Sequence, residues 1–160
     1  MRRFVVVLCL TTIIGVAIIG GAVASARPAH AASVVHIVVI SSKRGGTVVA
    51  AKVVIHGHAF PFLVDTGASV TLVNPTLARR LHLRTVGKPH RFCAVTGCSS
   101  ARRVRLSNWS IGGQPLPSVL ASSSPIVGTG GFGFGLLGSD VLSQFGSVTI
   151  DYRDKLMTLG

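Results

Sequence analysis

From Ser33 onward the chain alternates short apolar runs with turn residues. Val34–Ile40 leads into "SKRGG", Thr47–Ile55 into "HGH", and Ala59–Val64 follows. Runs of this length, rich in Val and Ile and divided by glycine and polar residues, predict β-hairpins. The same reading places strands at Ala101–Leu106, Val119–Ala121, Ser147–Tyr152 and Lys155–Leu159, the last two closing around Arg153-Asp154. Helical spacing appears twice. Asn74 is a favoured N-cap and Pro75 a favoured first helical residue; Leu77, Ala78 and Leu81 then make an apolar stripe, with Arg79, Arg80 and Arg84 outward. A second short helix is predicted at Asp140–Phe145, capped by Ser139 or Asp140 and stopped by Gly146. The pattern describes an all-β domain with two short helices.

The first residues follow another rule. Arg2 and Arg3 precede a stretch, Phe4 to Ala26, without a charge, and two A-x-A sites follow at Ala24-Ser25-Ala26 and Ala29-His30-Ala31. This is the pattern of a signal peptide, and the apolar stretch is also long enough to serve as an uncleaved signal anchor. In both cases the arginines stay on the cytoplasmic side, so residues 32–160 are expected outside the cytoplasm, secreted or held at the membrane by residues 1–31.

Composition narrows the chemistry. Hydrophobic residues make up 48% of the 160 and charged residues 12%, which excludes a disordered tail and a coiled coil. Sixteen Lys and Arg stand against four acids: Asp65, Asp140, Asp151 and Asp154. Without residues 1–31 the balance is 13 to four, a net charge of +9. Such a surface suits an anionic envelope component; no nucleic acid is expected, because the basic residues are scattered and no recognition module surrounds them. Outside the leading segment only Cys93 and Cys98 remain, in "CAVTGC", where Thr96-Gly97 signals a turn; in an oxidising compartment they form a candidate disulfide. No metal or cofactor is expected. His56 and His58 flank Gly57 at a turn without a third ligand, and the "GTGGFG" of Gly128–Gly133 lacks the βαβ unit that a dinucleotide fingerprint requires.

Phe62-Leu63-Val64-Asp65-Thr66-Gly67-Ala68-Ser69 drives an apolar strand into a carboxylate and turns on glycine. Gly67, lacking a Cβ, lets its backbone N–H approach the Asp65 oxygens. Hydrogen bonds there favour the ionised carboxylate, and burial opposes it. A turn aspartate satisfied by its own backbone is the plain alternative for the tripeptide alone.

Two longer stretches decide between these. "GGTVVAAKVVIHGHAFPFLVDTGASVTLVNPTLARRLHL" and "FGLLGSDVLSQFGSVTIDYRDKLMTL" resemble the retropepsin-like aspartic proteases, the single-domain relatives of retroviral proteases and pepsin halves. Hairpin, D-T-G-A-S loop, helix, hydrophobic-hydrophobic-glycine motif and C-terminal hairpin come in the family's order; the middle of the chain fits loosely. The resemblance implies a pepsin/retropepsin-like closed β-barrel-like domain. It implies that Asp65 is the catalytic carboxylate, that Thr66 fastens two copies of the loop, and that Gly67 admits backbone donors, with Ala68 and Ser69 completing the loop. Leu136, Leu137 and Gly138 would cross behind it. Val95, Thr96 and Gly97 lie in the place of the flap, which a Cys93–Cys98 bridge would stiffen.

Hydrolysis of a peptide bond by water needs one carboxylate to accept a proton and another to donate one. Two carboxylates about 3 Å apart share a single proton. The chain has one D-T-G and no internal repeat. Asp140 reads as a helix cap, and Asp151 and Asp154 belong to the terminal hairpin. The second carboxylate is therefore expected from Asp65 of another subunit, since a two-fold axis presents the same residue twice. This describes a homodimeric aspartic endopeptidase acting on a peptide or protein substrate, with Lys155–Leu159 as the strand expected to help pair the subunits. The alternative is a non-catalytic module of the same fold that binds or assembles envelope components. Ser69 as a nucleophile is disfavoured, because no histidine is placed beside it by a motif.

Overall fold

The computed structural model describes residues 32–41, 46–94, 97–126 and 134–160; the leading segment, the flap residues Val95 and Thr96 and the motif at Gly128–Gly133 lie outside the described residues. Among the described residues no helix is long and apolar enough to cross a membrane. The chain opens with strands β1 (Ser33–Ser41), β2 (Thr47–Ile55) and β3 (His58–Val64). The β2–β3 hairpin turns on His56-Gly57, both at positive φ (50° and 84°), so the two histidines flank a tight turn, as the sequence indicates. A two-residue strand β4 (Leu72–Val73) leads to helix α1 (Pro75–Arg80), where the Asn74 side chain accepts the Thr76 amide at 2.8 Å as the predicted N-cap.

The loosely matching middle of the chain is also β. Strands β5 (Thr85–Ala94) and β6 (Gly97–Leu106) form a long hairpin; β7 (Trp109–Ile111) and β8 (Gln114–Leu116) form a second; β9 (Val119–Ser123) returns beside β6. The pattern did not reveal β5, because Gly87-Lys88-Pro89 interrupts it where the register shifts between Val86 and His90. The β7–β8 hairpin also went unread, although Gly112-Gly113, both at positive φ, is a strong two-residue turn signal.

Strand β10 (Gly135–Leu137) is followed by α2 (Ser139–Leu142), a 3₁₀ turn (Ser143–Phe145), β11 (Val148–Asp151) and β12 (Leu156–Leu159). One hydrogen-bonded path runs β11-β12-β1-β2-β3-β10-β4-β9-β6-β5, with β7 joined to β2. Two sequence expectations are corrected. Gly138 occupies the N-cap of α2, and neither Ser139 nor Asp140 caps it; both side chains bond back to the Asp65 loop region instead. The terminal strand expected to pair subunits has both edges occupied within its own chain, β1 on one side and β11 on the other.

Alternation drives this folding. In β1, Val35 and Ile37 turn inward while Val34 and Val38 stay exposed, and in β2 the same period buries Val49, Ala51, Val53 and Ile55 on one face, with Ala50 buried on the other. The inward sets meet in a core that includes Val53, Ile55, Phe62, Leu77, Leu106, Ile111, Leu137 and Met157. A smaller cluster of Ala50, Leu63, Leu72 and Leu136, with Ala68 and Phe92 against it, lies across the sheet from that core. Phe62 lies where a Cβ on Gly135 would strike its ring, so a large and an absent side chain are packed as a pair. Phe62→Ala is expected to destabilise the fold by about 3–5 kcal/mol, read as a lowered urea midpoint; a loss under about 1 kcal/mol contradicts this packing.

Candidate active site

The site is built where β3 ends. Strand β10 lies between β3, which it pairs in parallel, and β4, which it pairs antiparallel. The Asp65 amide donates to the Leu137 carbonyl at 3.1 Å, which carries the β3–β10 pairing to the first residue of the loop. The chain then turns back, with the Ala68 amide on the Asp65 carbonyl. The Gly67 amide donates to Asp65 Oδ1 at 2.9 Å, the approach expected from the sequence. A Cβ on Gly67 would sit 3.3 Å from that same oxygen, so the glycine keeps the carboxylate's side open.

A second layer locks the loop from behind. Ser139 donates to the Ala68 carbonyl through its amide (2.7 Å) and its hydroxyl (3.1 Å). Thr71, fully buried, donates its hydroxyl to Asp140 Oδ1 at 2.8 Å and accepts the Gly138 amide at 3.1 Å. Gly138 is needed for space, since its φ is ordinary. A Cβ there would lie 2.7 Å from the Val70 carbonyl carbon and 2.9 Å from both Asp140 Oδ1 and the Thr71 nitrogen. Leu136 and Leu137 are buried on opposite sides of the strand, one in each apolar cluster. The sequence singled out Leu136-Leu137-Gly138 but missed Thr71; a hydroxyl in the apolar run "SVTLV" after the loop was the available signal.

The expected burial of Asp65 is not met within one chain. Asp65, Thr66, Gly67 and Ser69 are exposed and Ala68 is half-buried. Beside Asp65 and Thr66 lies a cleft of about 370 Å³, walled by Val48, Leu63, Leu136, Ile150 and Tyr152 among others. Val48 and Tyr152 leave 43% and 57% of their surface open there. Two of the other acids are engaged elsewhere: Asp140 holds Thr71, and Asp151 accepts the Arg153 and Asp154 amides in its own turn, where the Asp154 side chain is exposed. Among the described residues no three His, Cys, Asp or Glu side chains are grouped to hold a metal ion.

The β5–β6 hairpin carries the candidate flap. Cys93 and Cys98 face each other across its strands and are joined by a disulfide; Gly97 follows the undescribed tip. A second tie lies lower on the hairpin. His90 Nε2 is 3.1 Å from the hydroxyl of Ser122 on β9, and the Ser122 amide donates to the Thr71 carbonyl. The β5–β6 hairpin and the segment after the Asp65 loop are thus connected through β9.

A family model described as aspartyl protease matches residues 51–141, more than half of the chain. A retropepsin-like aspartic protease from Rickettsia conorii has a similar structure, with a TM-score of 0.53 at 19% identity over 81% of this chain and 90% of that one. At that identity the likeness bears on the fold. Comparison with the curated proteins finds no match.

Thr71→Val keeps the side-chain shape but strands the Gly138 amide and the Asp140 carboxylate. It is expected to cost about 2 kcal/mol or more in chemical unfolding, whereas an unchanged midpoint contradicts the locking role. Replacing both Cys93 and Cys98 by serine is expected to accelerate amide exchange in β5 and β6 while leaving β2 and β3 protected. Uniform exchange rates in the two proteins would show that the bridge restrains nothing.

Proposed function

This chain belongs to the aspartyl protease family, and on that premise we propose that it is a homodimeric endopeptidase whose catalytic pair is Asp65 from each of two subunits. The observation that carries the reading is the solitary, exposed Asp65. Its loop is backed by hydrogen bonds and apolar packing, Asp140 is held by Thr71 and Asp151 by its own turn, and the chain has no second D-T-G to stand opposite it. A two-fold axis beside Thr66 supplies the missing carboxylate without new sequence. The exposed apolar surface of Val48 and Tyr152 next to Asp65 supports association on this face, and it replaces the terminal strand as the pairing surface.

In such a dimer the two carboxylates hold one proton between them. One takes a proton from a water lying between them as that water attacks the peptide carbonyl. The other gives its proton to the carbonyl oxygen, and the resulting tetrahedral species breaks down with a proton delivered to the departing nitrogen. Gly67 N–H fixes one Asp65 oxygen and so orients the pair. An extended substrate would run under the two β5–β6 hairpins, with Leu63, Leu72 and Leu136 offering apolar wall. The uncharged stretch behind Arg2 and Arg3 supports a place outside the cytoplasm, secreted or membrane-anchored, beside an anionic envelope.

Asp65→Asn changes one atom per subunit. Cleavage of an unfolded peptide library is expected to fall by about 10³-fold or more, while sedimentation still reports a dimer. Retained cleavage removes Asp65 from the chemistry. A protein that cleaves as a strict monomer removes the shared pair, and a wild-type dimer inert at every pH points to the binding module instead.

A further inference from the structure

One arginine of α1 and one of β6 meet at a single groove. Arg79, at the end of α1, His82 just beyond it and Arg102 on β6 line one groove of about 640 Å³, floored by Ala78, Leu83 and Val104. All four acids of the chain lie elsewhere and none lines this groove. Guanidinium groups do not lose their charge in proteins, so two fixed positive charges face the groove with no carboxylate of this chain against them.

The backbone adds a second observation. After the last turn of α1, the Leu83 amide bonds to the Ala78 carbonyl and the His82 amide to the Arg79 carbonyl, which places His82 in the left-handed conformation at φ 49°. Glycine is the usual residue there, because a Cβ is strained in that conformation. His82 is one of four non-glycine residues at positive φ among the described residues, and a histidine in a glycine's place keeps an imidazole at the groove.

We propose that this groove binds a phosphate-bearing ligand through Arg79, His82 and Arg102, at a place separate from the cleft beside Asp65. Two fixed positive charges call for about two negative ones. A phosphate monoester brings nearly that in one group, where a carboxylate brings one, and guanidinium forks match its oxygens pairwise. The apolar floor accommodates the carbon skeleton attached to the phosphate. The same chemistry arrives as a free phosphate or as a lipid head group, and the experiment separates them.

The full chain is titrated with inorganic phosphate and, separately, with phosphatidylglycerol vesicles, alongside Arg102→Gln, His82→Gly and Asp65→Asn. Phosphate affinity is expected to drop about tenfold in Arg102→Gln and several-fold in His82→Gly, and to stay unchanged in Asp65→Asn. His82→Gly is also expected to be at least as stable as the parent, which separates a ligand from a mere helix terminator. Vesicle binding that phosphate displaces and Arg102→Gln weakens identifies a head group as the source; phosphate binding without it identifies a free phosphate. The proposal is overturned if phosphate binds neither parent nor variants, binds all of them equally, or is replaced as ligand by polyglutamate alone.

Discussion

The amide of Asp65 and the carbonyl of Leu137 share a hydrogen bond at the point where two distant parts of the chain cross, and the site grows around it. Strand β10 can enter between β3 and β4 only because Gly135 leaves room for the Phe62 ring, and it can leave only because Gly138 clears the backbone at Val70 and Thr71. Between these two clearances, Leu136 and Leu137 fill the apolar clusters on either side of the strand. The loop that displays Asp65 is therefore supported from within a packed interior, so the carboxylate keeps a fixed direction although it stands in solvent.

Scarcity of acids shapes the rest. With four aspartates against sixteen basic residues, the chain has few internal partners for its own cations. Two of the acids are engaged by structure: Asp140 behind the Asp65 loop and Asp151 within its turn. Asp65 and Asp154 stay exposed, and Arg79 and Arg102 line a groove that no acid of the chain enters. The same imbalance leaves the groove at Arg79 and Arg102 without a carboxylate of this chain.

The flap is tied at two levels with different chemistry. The Cys93–Cys98 bridge closes the tip covalently, while His90 and Ser122 join the hairpin lower down to the strand that also bonds Thr71. Both ties restrain the hairpin, one between its own strands and one to the neighbouring strand β9.

Local patterns of the chain were sufficient for the strands β1, β2 and β3, the Asn74 cap of α1, the turn at Asp65-Thr66-Gly67 and the pairing of Cys93 with Cys98, because each depends on residues a few positions apart. Strand β5 was hidden by Gly87 and Pro89, whose bulge makes sense only against β6. Thr71 looked like one more β-branched residue until Asp140 and Gly138, almost seventy positions later, came to meet its hydroxyl. Asp140 reads as a helix cap in the sequence for the same reason: its partner, Thr71, is distant along the chain. The resemblance implies a subunit-pairing role for the terminal strand, but which neighbours occupy its edges is not written in its residues, and here they are β1 and β11 of the same chain. Short-range order is written in residue types; the partners of buried hydroxyls, carboxylates and strand edges are set by packing between distant segments, and that is decided in three dimensions.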